Sequence, residues 1–193
     1  MKIYFADLRN DLGGRGNFGD DLNNWLWPKE FGPLLESGLG HTLVGIGTVI
    51  SDKLNRLPGV ILCGAGYGYG ELTKPLGGHA YAVRGEMSAE AIGLPAEYGM
   101  IDPGVLVNRH FKSTKPEGKK VGYMPHAFEV ARAGDMLHRI CVELGLQYID
   151  PCKDVATVLE ELGSCTHLVT EAMHGAIVAD CLRIPWHPVA TSS

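Results

Sequence analysis

The chain is short of positive charge. Its longest Lys/Arg run is the pair Lys119-Lys120, and 17 basic residues are outnumbered by 22 acidic ones. It therefore lacks an electrostatic footprint for DNA or RNA, and no nucleic-acid partner is expected. Long apolar runs are missing too. The longest uncharged stretches, near 37–51 and 57–70, are Gly-rich and below the length needed to cross a bilayer. The N-terminal MKIYFADLRND meets Asp7 too early for the apolar region of a signal peptide. A soluble, cytoplasmic protein is expected. The five cysteines, Cys63, Cys141, Cys152, Cys165 and Cys181, form no CxxC pair, and their number is odd. Neither a metal cage nor a disulfide framework follows, so reduced, mostly buried thiols are expected. The histidines show no H-x-x-x-H or H-E-x-x-H spacing, which leaves no metal site to expect.

Glycine, by contrast, is abundant, with 26 residues that cluster at 13–19, 38–47, 64–70 and 77–78. These clusters follow short apolar runs, the place where α/β proteins put ligand loops. Gly47 and Gly66 are candidate substrate-binding positions on this ground. Strands are expected at Lys2–Ala6, Leu43–Ile46, Val60–Cys63 and Tyr81–Val83. Helical segments are expected at Asp20–Leu26 (stopped by Pro28), at Val49–Leu57 and at 87–93. A second series starts after STKPEG at 113–118, which has linker composition. It has strands at Lys120–Tyr123 and Tyr148–Ile149. A helix over Phe128–Leu144 places Leu137, Ile140, Cys141 and Leu144 on one face and ends at Gly145. Another over Asp154–Leu162 buries Val155, Val158, Leu159 and Leu162. Short apolar strands alternating with helices and Gly loops predict an α/β fold with parallel sheets. Two Rossmann-like halves are expected, residues 1–112 and 119–193, with a cleft between them. The second half, with about three strands, reads as incomplete.

The richest stretch is 166–187, THLVTEAMHGAIVADCLRIPWH. It reads as a buried strand, a polar turn with Glu171, and a helix opening on His174-Gly175. A helix start offers unpaired N–H groups and partial positive charge to an anion. An imidazole at the same point adds a proton donor or acceptor near neutral pH. Gly175 permits close backbone approach. A phosphate- or carboxylate-bearing substrate fits this pairing.

Other candidates are less specific. Gly14-Arg15-Gly16-Asn17-Phe18-Gly19 matches GxGxxG, but the strand before it ends too early for the tight turn of a dinucleotide fingerprint, so NAD is not expected. In Asn17-Phe18-Gly19-Asp20-Asp21, one aspartate sits at a helix start, where a carboxylate caps N–H groups; Asn17 and the loop N–H groups are alternatively cleft-lining. Arg84 ends a buried strand, either paired with Glu86 or Glu90 or serving as an anion clamp. His126 follows a strand as a turn or cleft residue.

Taken in order, NFGDD at 17–21, GIGTVI at 45–50, GAGYG at 64–68, VRGEMS at 83–88, DPGVLV at 102–107, VGYMPH at 121–126 and TEAMHGAIVAD at 170–180 resemble the polysaccharide pyruvyltransferase family, most of all its succinoglycan-type branch. The resemblance implies a GT-B-like pair of Rossmann-like domains and transfer of a pyruvyl group from phosphoenolpyruvate to two sugar hydroxyls, with release of phosphate. It implies no cofactor. The acceptor is a sugar or lipid-linked oligosaccharide, met at the inner face of a bacterial membrane. Arg84 and His174 fall on the family's Arg and His patterns, and Asn17, Gly19 and Asp20 on its N-x-G-D. Position 85 is Gly where many relatives have Asp. Relatives run on beyond the position matched by Ser193, so part of the C-terminal half is expected to be missing. The rival readings are a nucleotide-sugar glycosyltransferase of the same architecture and a non-catalytic sugar-binding module.

Overall fold

A computed structural model describes residues 1–38, 40–113 and 118–190. In chain order the elements are β1 (Lys2–Tyr4), α1 (Phe18–Glu36), β2 (Thr42–Val44), β3 (Thr48–Ile50), β4 (Val60–Tyr67), β5 (His79–Arg84), α2 (Glu86–Ala91), β6 (Gly99–Met100), α3 (Val107–His110), β7 (Val121–Met124), α4 (Ala127–Leu144), β8 (Gln147–Tyr148), α5 (Val155–Gly163), β9 (His167–Thr170), α6 (Met173–Cys181) and β10 (Trp186–Pro188). The α/β class and parallel sheets match expectation. The chain forms two compact units. Residues 1–6 and 22–103 make the first, and residues 7–21 and 104–193 make the second. Within the expected linker, residues 114–117 lie outside the described residues.

The first unit carries a parallel sheet in the order β1-β2-β4-β5-β6, with β3 also paired to β4. Its core joins Val44, Val49, Ile50, Leu54, Val60, Leu62, Ala65, Val83 and Ala89. Three expectations are corrected here. β4 does not stop at Cys63 but continues through Gly64 and Gly66 to Tyr67. These glycines make room instead of turning the chain: a Cβ on Gly64 would strike the Pro103 ring, and one on Gly66 the Arg84 guanidinium. Residues 49–50 are strand, because the β-branched run Thr48-Val49-Ile50 pairs beside β4, and only a 3₁₀ turn at Asp52–Arg56 is helical. Finally, α1 passes Pro28. Proline removes the N–H that would reach Asn24, but both residues are exposed, so the freed carbonyl meets water. The break comes at Phe31 (φ −129°, ψ 22°), and Pro33 then sits in the first turn of the next helical piece, where its missing N–H has no acceptor to lose.

The buried face of α1 is tied to the sheet by Asn23. Its Nδ2 donates to the Ile46 carbonyl (2.9 Å), and its Oδ1 accepts from the Ile46 N–H (2.9 Å) and from Trp27 Nε1 (2.8 Å). Gly45 lies flat against the Trp27 ring, with no room for a Cβ.

In the second unit the parallel order is β10-β9-β7-β8. Four strands are present among the described residues, against about three expected. The added one, β10, ends on Pro188 and is wholly exposed, which is where a sheet tolerates proline. α5 behaves as its period predicts: Val155, Val158, Leu159 and Leu162 are all buried, and Asp154 caps its start by accepting the Thr157 N–H (3.0 Å). α4 ends on left-handed Gly145 as expected, but its apolar face is narrower. Leu137 and Cys141 are buried, whereas Ile140 and Leu144 are exposed. The helix also breaks at Ala133 (φ −147°, ψ 20°), beside the weak helix former Gly134. No helix among the described residues is long and apolar enough to cross a membrane.

Candidate active site

Strand order points to one place in the second unit. From central β7 the chain goes to β8 on one side and then to β9 and β10 on the other, so the winding direction reverses between β7 and β9. In open parallel sheets, ligands bind outside the C-terminal strand ends at such a reversal. The segments leaving those two ends are Pro125-His126 and Glu171–His174.

His174 is the second residue of α6, and only 9% of it is exposed. Ala172 at the N-cap offers no side-chain oxygen to the first turn, so that end keeps the donor character of a bare helix start. Thr170 Oγ1 accepts from the Ala172 N–H (3.0 Å), holding the turn. The close approach that Gly175 permits is to Met124 and Thr170: an added Cβ would stand 2.7 Å from Met124 Sδ and from Thr170 Oγ1. Both expected ends of this motif, a buried strand and a helix opening at His174, are therefore in place; the helix starts one residue earlier, at Met173.

The loop 7–21 belongs to this unit and brings the NFGDD motif to His174. The Phe18 N–H donates to the Pro151 carbonyl (2.8 Å), which anchors the loop. Gly19 then presses on the imidazole so closely that an added Cβ would overlap Nδ1. Asn17 Nδ2 donates to Asp20 Oδ2 (2.7 Å), and Asn17 Oδ1 accepts from the Gly19 N–H (3.3 Å). The capping carboxylate is Asp21, which accepts from the Asn17 N–H (3.1 Å) and from Arg9 Nη2 (2.7 Å). Asp20 is left for His174. Burial pushes its carboxyl up to about 6, outweighing the pull of His174 and of the Asn17 hydrogen bond.

That shift fixes a sign. Unfolded Asp20 releases its proton near 3.8, while the folded group holds it to about 6. The burial penalty is therefore absent below pH 4, grows as pH rises, and is complete above 6. Asp20→Asn keeps an acceptor for Asn17 and is expected to stabilise the protein by about 2 kcal/mol at pH 7.5. Urea unfolding at pH 7.5 and pH 4 checks this: the gain should vanish at the lower pH, and an equal gain at both would refute the assignment. Gly19→Ala should cost about 1–3 kcal/mol by overpacking and should move the His174 ring resonances in an NMR spectrum. Unshifted resonances would show that the contact is loose.

Glu171 and His126 sit at the other strand end. Glu171 Oε2 accepts from the His126 N–H (3.1 Å) and from the Tyr123 hydroxyl (3.4 Å). His126 caps α4, with Nδ1 accepting from the Phe128 N–H (3.4 Å) and its ring stacked on Phe128. Both residues thus hold the β7 end in shape.

Arg84, Gly47 and Gly66 come together in the first unit. The Gly66 N–H donates to the Gly47 carbonyl (2.9 Å), and Gly66 gives the Arg84 guanidinium its space. Arg84 Nη1 pairs with Asp102 Oδ2 at 3.3 Å, and Nη2 donates to the Thr48 hydroxyl. Its carboxylate partner is Asp102, not the expected Glu86 or Glu90. The reason is topological: β5 and β6 are adjacent parallel strands, so the residues just past their ends face each other. Asp102 and Thr48 were not singled out from sequence, although both lie inside motifs that were, DPG and GIGT.

Over its whole length the chain is 39% identical, across 198 aligned positions, to the succinoglycan biosynthesis protein ExoV of Rhizobium meliloti (strain 1021). It spans 60% of that relative's length. No protein-family model and no solved structure matches the chain. That relative is a protein of succinoglycan biosynthesis. The ordered motifs of the chain resemble the same succinoglycan-type branch.

Proposed function

We propose that the chain takes part in pyruvyl transfer from phosphoenolpyruvate to two hydroxyls of a sugar acceptor, forming a ketal and releasing phosphate. The observation that carries this reading is His174, buried at the open start of α6 with Gly19 against its ring and half-buried Asp20 within electrostatic reach. The helix start takes the charge of the donor's phosphate or carboxylate. His174 donates a proton to the enol CH₂ carbon, which becomes the methyl group and leaves a cationic centre at the neighbouring carbon. One sugar hydroxyl attacks that carbon. Its proton returns to the site through Asp20, whose pKa of about 6 suits acceptance and release near neutrality. The C–O bond to phosphate breaks, the second hydroxyl closes the ring, and the last proton leaves with phosphate. Protons balance: two leave hydroxyls, one enters the methyl group and one the phosphate.

By family resemblance Arg84 is a further anion-binding residue. Asp102 neutralises one face of its guanidinium and leaves other N–H donors on the fork. The GT-B-like architecture, a lipid-linked acceptor and work at the cytoplasmic membrane face belong to the same reading.

A thermal-shift series tests the donor. Phosphoenolpyruvate at about 100 times its Kd should add roughly 2.7 kcal/mol of stability. UDP-sugars and NAD should add none, and His174→Ala should keep most of the shift, because the helix start that takes the anion survives the substitution. A shift with UDP-sugars alone would favour a glycosyltransferase instead.

A further inference from the structure

The second unit also holds a concavity at the end of β8, on the far side of β7 from β9. It is a cleft of about 560 Å³ that wraps the break in α4, with Arg15, Tyr148 and Asp150 facing Val130–Arg139. Because the helix is broken at Ala133, consecutive residues line the cleft, where an intact helix would present only every third or fourth. Three guanidinium groups converge here: Arg15, Arg132 and Arg139. Arg132 is shared with Glu129 (3.0 Å), whereas Arg15 and Arg139 have no ion-pair partner among the described residues.

The Tyr148 hydroxyl is the second observation. It is buried beneath Gly134, where an added Cβ would lie 3.7 Å away, and makes no hydrogen bond among the described residues. A buried hydroxyl without a partner costs on the order of 1–3 kcal/mol, so it marks a place where a bound group would restore what folding removed. Arg15 is close enough to act on it electrostatically, though burial and Asp150 dominate and push its pKa up. The hydroxyl therefore stays protonated and donates. His138 meets the Tyr148 ring edge-on, with centroids 5.4 Å apart, which adds an apolar surface.

We infer that this cleft is a binding site for a phosphorylated sugar. Guanidinium forks match phosphate oxygens, and Arg15 and Arg139 supply them. The two carboxylates, Asp135 and Asp150, suit hydroxyl donors and would repel a ligand that was phosphate throughout. A cleft of this volume fits a small organic ligand and is much larger than bare phosphate requires. The inference does not rest on the pyruvyl-transfer reading, because none of these residues belongs to the His174 cluster.

Calorimetric titration of the 193-residue chain with glucose 6-phosphate, inorganic phosphate and glucose tests it. Glucose 6-phosphate should bind about tenfold or more tighter than either fragment. The double variant Arg15→Ala, Arg139→Ala should weaken it by about tenfold or more, since each hydrogen bond to a charged group carries about 1.5–3 kcal/mol. Tyr148→Phe removes only an unpaired hydroxyl, so it should leave Tm unchanged or raised while weakening binding several-fold. Equal affinity for phosphate and glucose 6-phosphate overturns the proposal. So does retention of affinity in the double variant, or loss of affinity in His174→Ala but not in the cleft variants; the last would place the phosphate at α6.

Discussion

If the pyruvyl-transfer proposal holds, replacing His174 with alanine should lower phosphate release from phosphoenolpyruvate by about 10²–10⁴-fold, the ordinary contribution of a positioned general acid. Donor binding should change far less, because the helix start and its dipole survive the substitution. The pairing with Asp20 sharpens this expectation. Asp20→Asn removes the proton relay but leaves His174 in place, so it should lower the rate, with the largest loss above pH 6, where the native carboxylate is ionised. Discontinuous phosphate assays across pH 5–8 separate the two variants. A His174→Ala rate within threefold of the parent would exclude the acid role. A pH profile that Asp20→Asn leaves unaltered would exclude the relay while sparing the acid.

Asn23→Ala is expected to lower the unfolding free energy by about 3–5 kcal/mol. The amide serves three buried groups at once: the Trp27 indole N–H and both the N–H and the carbonyl of Ile46. Alanine leaves all three without a partner, and each such loss costs about 1–3 kcal/mol. The neighbouring Asn24 is exposed, and Asn24→Ala should stay within about 0.5 kcal/mol of the parent. Trp27 is buried beside the network and reports urea unfolding by fluorescence. Coincident midpoints for the two alanine variants would mean that water repairs the loss and that the network contributes little.

What the sequence made legible followed from local period. α5 declared all four buried side chains because a 3.6-residue repeat was uninterrupted and Asp154 and Gly163 bounded it. Local cues failed where a tertiary neighbour decided the outcome. Gly64 and Gly66 read as ligand-loop residues, yet Pro103 and Arg84 need the space above a continuous strand. Pro28 read as a stop, yet exposure of Asn24 and Pro28 made the lost hydrogen bond cheap. Ile140 and Leu144 fit the helical period of α4 but find no cover among the described residues. For the candidate site, His174, Asp20 and Gly19 were each visible in a motif. That Gly19 would touch the imidazole was not, because nothing in either motif encodes a contact between chain segments so far apart. Arg84 was visible as a cation, and its partner was not, since the pairing depends on which strand follows β5 in the sheet.

The assignment of residues 7–21 to the second unit has a consequence for biogenesis. The loop carrying Asn17, Gly19 and Asp20 leaves the ribosome before residues 22–103, but its partners Pro151 and His174 are made only after them. It must therefore wait, unsatisfied, while residues 22–103 complete a separate parallel sheet. Such late closure of a distant contact is entropically slow. An excised fragment of residues 104–193 would keep α6 and His174 yet lack the segment that presses on the imidazole and shares its charge. Cutting the chain at that unit boundary therefore divides the candidate site, and only a polypeptide that retains residues 7–21 can assemble it.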